Sequence, residues 1–317
     1  MIPEGYSRSD NIITSFNWVV LYVRAFLGWL SDLLVEPFLY LFTKKTKTIR
    51  AICRDDFSPK MTDMVRDAIL NRNEFLACRQ LLLKHKPFNV ETMSQLFMKE
   101  ARVDPSSSYY NEEFRSKVSS CFHQLVGTNI AQKVVDDLIA EKYDRENEDH
   151  ESLLLELWSN LRPDEILRAR ETEQWSSIGF QGRDPATDFR GLGVLSLSNL
   201  VYYSRQYPAA AIDCLRHSDI VHGGYPMAIT GIQLSALLNK WLQKRVVDRE
   251  FYSVDVEDTM MSREERALHF YQELFCRTFT RFDAFYETKH PDNLLQFPII
   301  MQEFEERTLQ EIKENVF

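Results

Sequence analysis

Apolar positions recur at three- and four-residue intervals along most of the chain, a helical period. Ser58-Pro59 reads as an N-cap and first-turn proline, opening a helix that runs to about residue 86. Further helices are predicted near Val90–Arg102 and over Glu112–Tyr143, the latter interrupted at Gly127. EKYDRENEDHE, residues 141–151, is almost free of apolar residues and reads as a solvated linker or helix end. Asp149 is placed to cap a helix carrying Leu153, Leu154, Leu157, Trp158 and Leu161 on one face. Pro163 starts another, ending near Ile178. Helix resumes at Leu192 and stops before Pro208. Gly223-Gly224 breaks the chain, and Tyr225–Val247 is helical again. Over Arg263–Lys289 the residues Leu268, Tyr271, Phe275, Phe279, Phe282 and Tyr286 form an aromatic ladder at helical spacing, which predicts core. Phe251–Val256 alternates like a strand. The fold predicted is all-α, in three parts: an apolar segment over 1–50, a helical region over 51–142 and a main domain over 143–317.

The N-terminal part admits two readings. Residues 12–42 are very apolar, yet Arg24, Asp32 and Glu36 interrupt them, falling with Asn17, Gly28 and Ser31 on a narrow helical stripe. Pro37 ends that helix, and Lys44, Lys45, Lys47 and Arg50 follow. Residues 16–42 therefore fit an interfacial or hairpin-like membrane anchor. The alternative is a helix buried in the protein's own core. A signal peptide is not indicated, since the basic start and small-residue cleavage site are missing.

Composition narrows the function. The chain has 317 residues and a formal net charge of -9, without a basic stripe, which disfavours nucleic acid as a partner. Its five cysteines are dispersed and form no C-x-x-C pair, as in a reducing compartment. Gly191-x-Gly193 opens like a dinucleotide fingerprint but has Ser196 where the third glycine belongs, and no strand precedes it. Cys214, His217 and His222 lack a fourth metal ligand. No cofactor and no metal is expected.

One stretch is different. GFQGRDPATDFRG, residues 179–191, holds three of the ten glycines in the chain. Trp175, Ile178 and Phe180 anchor one side and Phe189 the other. Gly179 and Gly182 permit backbone angles other residues avoid. Asp184-Pro185 makes a turn, and Thr187 or Asp188 is placed to cap the next helix. Arg190 then falls near a helix N-terminus, with Gly191 and Gly193 leaving room beside it. Two roles are open for it: an exposed guanidinium offered to an anion, or an arginine tied to Asp184 or Asp188.

Residues 175–203, WSSIGFQGRDPATDFRGLGVLSLSNLVYY, resemble the signature of ELMO domain-containing proteins. Trp175, Gly179, Phe180, Gln181, Gly182, Asp184, Pro185, Thr187, Asp188, Phe189, Arg190, Gly191, Gly193, Leu195, Leu197, Asn199, Leu200, Tyr202 and Tyr203 carry the match, with Tyr203 where phenylalanine is usual. GGYPMAITGIQLS, residues 223–235, and the helix around Leu153–Trp158 extend it. The resemblance implies a multi-helix ELMO domain from about Tyr143 to the C-terminus. It also implies that the chain is a GTPase-activating protein for Arf-family or Arf-like small GTPases in their GTP-bound form. Arg190 is then the catalytic arginine, because the short members of the family that carry arginine in the D-F-R-G motif act in this way. Of the other matched residues, Trp175, Gly179, Phe180, Gln181, Gly182, Asp184, Pro185, Thr187, Asp188, Phe189, Gly191, Gly193 and Asn199 are expected to support the loop or bind the partner. Gln181 is a candidate assistant, although its amide is expected to bond loop backbone instead. The alternative is a non-catalytic adaptor that docks a GTPase or scaffold at a membrane. The expected location is the cytosolic face of an intracellular membrane, endoplasmic reticulum or mitochondrion, or the cytoplasm.

Overall fold

The computed structural model describes residues 45–219, 223–256 and 260–314, together with Val23, Phe26, Leu30, Val35, Leu39 and Tyr40. The anchor expected over 16–42 thus lies almost wholly outside the described residues. Among the described residues no helix is long and apolar enough to cross a membrane. The fold is all-α, and no strand forms among these residues.

The helices are α1 (Lys47–Arg54), α2 (Pro59–Asn71), α3 (Leu76–Leu82), α4 (Val90–Glu100), α5 (Glu112–Ala140), α6 (Glu148–Leu161), α7 (Leu195–Gln206), α8 (Pro208–His217), α9 (Met227–Gln243), α10 (Arg263–Glu287) and α11 (Phe297–Glu314). Helix α5 is the axis of the molecule. Its first half puts Phe114, Val118, Cys121, Phe122 and Leu125 into a core shared with α1–α4. Its second half puts Val126, Ile130, Ala131 and Val135 into a larger core with α6–α11. The two cores thus meet inside one helix, upstream of the polar 141–151 stretch. The aromatic ladder of α10 is core: Tyr271, Phe275, Phe279, Phe282 and Tyr286 are all buried.

Several local expectations are corrected. Helix α5 runs unbroken through Gly127, where the missing side chain serves packing: a Cβ there would lie 2.1 Å from the carbonyl oxygen of Phe251. The helix expected over 58–86 divides at Arg72, which is extended. Arg79 donates to the carbonyls of Ile69 (2.8 Å) and Arg72 (2.5 Å), satisfying the end of α2. The carboxylate of Glu100 accepts the N–H groups of Ala77 (2.9 Å) and Cys78 (3.0 Å), satisfying the start of α3. Groups distant in sequence thus meet the orphan donors and acceptors that a helix end leaves.

Asn147, not Asp149, caps α6, accepting from the N–H of Asp149. The helix expected from Pro163 to Ile178 is instead a run of turns ending in a short 3-10 helix, Glu173–Ile178. Its carbonyls are used elsewhere: Trp158 Nε1 donates to Glu165 and Trp175 Nε1 to Arg170, each at 2.9 Å, and Arg162 donates to Ser177 at 2.6 Å. The alternating 251–256 stretch forms turns, because Arg266 takes the carbonyls of Val254 (2.7 Å) and Val256 (2.5 Å) where a strand would offer them to a neighbour. Helices α8 and α11 occupy stretches to which the periodic reading assigned no element.

Candidate functional site

The 179–193 loop lies across the C-terminal end of α5. Val194 N–H donates to the carbonyls of Leu138 (3.1 Å) and Glu141 (3.0 Å), two acceptors a helix end leaves open. Gly193 permits this contact. Its φ is +53°, and a Cβ would lie 2.3 Å from Glu141 O. Gly179, at φ +89°, offers its carbonyl to Ile229 N–H (3.2 Å) and packs on the start of α9.

Aromatic rings hold the loop from beneath. Trp175 is fully buried, edge-on to Trp158 (5.4 Å) and to Phe180 (5.9 Å). Phe180 meets Phe189 edge-on at 5.6 Å, and Phe189 packs against Tyr143 at 5.2 Å. Each such pair contributes about 0.5–1.5 kcal/mol beyond the area it buries. The anchoring expected of Trp175, Phe180 and Phe189 is therefore present, with Tyr143 as a further member.

The middle of the loop is a 3-10 helix, Pro185–Gly191, capped by Asp184 through Ala186 N–H at 3.1 Å. Thr187 donates its hydroxyl to Asp184 O (3.0 Å), so neither Thr187 nor Asp188 caps the following helix. Asp184 pairs with Arg170 (3.1 Å) and with Arg145. Arg170 also reaches Glu151 at 2.5 Å, and Tyr143 donates to Glu151 at 2.6 Å. Arg145, Arg170, Glu151 and Tyr143 were not expected in the site. Three of them, Tyr143, Arg145 and Glu151, fall in the stretch whose polarity suggested a solvated linker, and only the folded chain joins them to the Asp184 network.

Burial pushes the Asp184 and Glu151 carboxyls upward, but their bonded partners outweigh it and hold both below their ordinary values. The partners are the Ala186 N–H, Arg145 and Arg170 for Asp184, and Arg170 and Tyr143 for Glu151. A carboxylate with a depressed folded pKa stabilises above its unfolded pKa, near 4, and loses that contribution as pH falls through the folded value. Asp184→Asn is thus expected to lower Tm at neutral pH. The gap from the parent should close as pH falls below about 4. Melting curves across that range check it, and a gap constant with pH would refute the ion-pair origin.

Asp188 is half-buried and accepts Gln181 N–H at 2.9 Å. Burial raises its carboxyl, while that N–H and the nearby Arg190 charge pull it down less strongly. Arg190 is bound to neither aspartate. It is exposed, and among the described residues its side chain has no hydrogen-bond or ion-pair partner. It sits in the last turn of the 3-10 helix, with α7 starting only at Leu195, so the helix-start environment expected for it is absent. The Gln181 side chain is likewise exposed without a partner among the described residues, contrary to the expected bond to loop backbone. Gly182 and Gly191 are open: a Cβ on either would meet nothing within 4 Å.

Asn199 lies elsewhere. It is fully buried on α7 and donates to Ser235 Oγ at 2.9 Å, tying α7 to α9. Among the described residues no group of three His, Cys, Asp or Glu is arranged to hold a metal. Cys214 bonds Tyr203 (3.2 Å) and His217 bonds Asp283 (2.9 Å), while His222 lies outside the described residues.

The model of the ELMO/CED-12 family matches residues 133–301, which include the whole loop and its supports. ELMO domain-containing protein 2 of Homo sapiens is 33% identical over 210 residues, covering 66% of this chain and 68% of that protein. ELMO domain-containing protein 1 of Mus musculus is 30% identical over 246 residues, 72% of each chain. ELMO domain-containing protein B of Dictyostelium discoideum is 38% identical over 168 residues, 53% of this chain and 55% of that one. No solved structure matches the chain. The chain belongs to the ELMO/CED-12 family.

Proposed function

We propose that the chain is a GTPase-activating protein for Arf-family or Arf-like small GTPases, and that Arg190 is the group it brings to bound GTP. The observation that carries this reading is the exposed Arg190 guanidinium, unpartnered among the described residues, on a loop whose carboxylates are engaged by other groups. GTP hydrolysis spreads negative charge over the γ-phosphoryl oxygens in the transition state. An arginine supplied in trans stabilises that charge, with an effect of about 10³ to 10⁵ on rate. The planar fork of arginine suits two phosphoryl oxygens at once. A rigid support matters as much, because positioning lost by an ångström forfeits much of the gain. The buried rings under Phe189 and the Asp184 network supply that support. Gln181 and the open Gly182 and Gly191 leave the partner room for close approach. The GTPase brings its own phosphate loop, Mg²⁺ and attacking water.

Because the charge that Arg190 meets is greatest in the transition state, affinity should follow it. An Arf-like GTPase loaded with GDP and a fluoride mimic of the γ-phosphate is expected to bind more tightly than the GDP form, and Arg190→Ala should abolish the difference. Equal affinity of the parent chain for both forms would favour the non-catalytic adaptor.

The apolar 16–42 segment suggests work on a cytosol-facing membrane, such as that of endoplasmic reticulum or mitochondrion. Removal of residues 1–44 retains α1, whose Ile49 and Ile52 belong to the core, and is expected to shift the protein from the membrane to the soluble fraction. Unchanged fractionation would rule the anchor out.

A further inference from the structure

The molecule also has a concave surface that shares no residue with the 179–193 loop or its supports. A cleft of about 1080 Å³ lies among α1, α2, the turn after α9 and the end of α11. Ligand sites commonly occupy roughly 300–1,000 Å³, so the size suits a phosphorylated ring or headgroup. Eight of its lining residues are lysine or arginine and three are carboxylates, in a chain of net charge -9. Those carboxylates are already engaged. Asp63 pairs with Arg66 at 3.3 Å and with Arg249, Asp67 with Arg66 at 3.0 Å, and Glu250 with Arg277 at 2.9 Å. Lys60, Lys244 and Lys313, from three separate elements, are exposed and have no ion-pair partner among the described residues.

The wall of the cleft is rigid. Arg245, almost fully buried, is bonded to Asp248 (2.9 Å), Asn129 (2.6 Å) and Leu125 O (3.1 Å), which ties the cleft to α5. Thr48 also lines it. That residue is 1% exposed, and its buried hydroxyl has no hydrogen-bond partner among the described residues. An unpaired buried hydroxyl is costly in a folded protein, and an acceptor oxygen entering the cleft would relieve it.

We infer that this cleft binds a polyphosphorylated headgroup. The three lysines converge on phosphate oxygens, and the Thr48 hydroxyl donates to one of them. The same chemistry occurs in a soluble inositol phosphate and in a phosphoinositide lipid. Lys47 on the rim follows Phe42 by five residues, a reach of at most about 18 Å. If the 16–42 segment lies at a membrane, a lipid headgroup is therefore within range. The site is independent of Arg190.

The test uses the full-length chain, soluble inositol 1,4,5-trisphosphate, and phosphatidylcholine vesicles with and without phosphatidylinositol 4,5-bisphosphate. Binding of the trisphosphate is expected to weaken with added salt. The triple variant Lys60→Gln, Lys244→Gln, Lys313→Gln should weaken it about tenfold, since each exposed pair contributes modestly. Thr48→Val should keep or raise Tm in the free protein while weakening binding by roughly tenfold. A gain on bisphosphate vesicles that is lost in the triple variant assigns the lipid, and trisphosphate binding without such a gain assigns a soluble ligand. The triple variant should leave stimulation of GTP hydrolysis in solution unchanged, which separates this site from the loop. Failure of the trisphosphate and the bisphosphate vesicles to bind, or binding indifferent to both variants, would overturn the assignment.

Discussion

Arg190→Ala is expected to keep the stability of the parent within about 0.5 kcal/mol and to lose about 10³-fold or more of its stimulation of GTP hydrolysis. The two halves of this result have separate causes. The side chain is exposed and unpartnered among the described residues, so its truncation leaves no cavity and no orphaned buried group. Phe189 beside it stays fixed between Phe180 and Tyr143, and Asp184 stays fixed by Arg145 and Arg170. The one electrostatic consequence inside the loop is a further rise in the Asp188 carboxyl, which the Arg190 charge now holds down slightly. Arg190→Lys retains charge but not the planar fork, and should restore little stimulation. Asp188→Ala, which removes the acceptor, separates this account from one in which Arg190 is a structural residue. Asp188 bonds Gln181 N–H, so its loss should loosen the loop and lower Tm in a way that Arg190→Ala does not. Matching melting curves for these two variants, both lowered, would contradict the arrangement.

Gly193→Ala should have the opposite profile, with a loss of about 2–5 kcal/mol of stability. The added Cβ would fall 2.3 Å from Glu141 O, 2.5 Å from Ile139 O and 2.6 Å from Leu138 O. These are backbone atoms at the end of α5 and cannot swing aside as a side chain would. The residue also sits at φ +53°, which costs alanine more than glycine. Relief requires the loop to lift from α5, which breaks the bonds from Val194 N–H to Leu138 and Glu141. Tm should fall by several degrees or more. Gly191→Ala is the control: nothing lies within 4 Å of its Cβ position. Its stability should be unchanged, and any loss of stimulation would report crowding of the docked GTPase. Equal melting of the two variants would show that Gly193 does not bear on α5.

How far the sequence reaches is visible in these same residues. The aromatics around the glycines announced a clamped loop, and Trp175, Phe180 and Phe189 are buried as their spacing required. The exposure of Arg190 was legible only as one of two alternatives. The deciding fact is that Asp184 is taken by Arg145 and Arg170, which are 39 and 14 residues away in the chain. Polarity around Arg145 read as solvent exposure, although that residue binds the loop. Helical period located the cores of α5 and α10 but overran at 163–178. There the carbonyls serve tryptophan indoles and Arg162, a tertiary choice with no local signature. Gly127 misled for a related reason: its role is to admit the Phe251 carbonyl, not to break a helix. Asn199 matched the family signature yet serves the α7–α9 contact, so a signature marks structural and functional positions alike.

The most direct measurement is GTP turnover by purified Arf-family and Arf-like GTPases in the presence of substoichiometric amounts of this protein, parent and Arg190→Ala side by side. The account predicts that at least one of these GTPases hydrolyses GTP about 10³-fold faster or more with the parent chain, each molecule acting repeatedly, and near its basal rate with the variant. Equal stimulation by the two proteins, or binding to a GTPase with no acceleration by either, would contradict it.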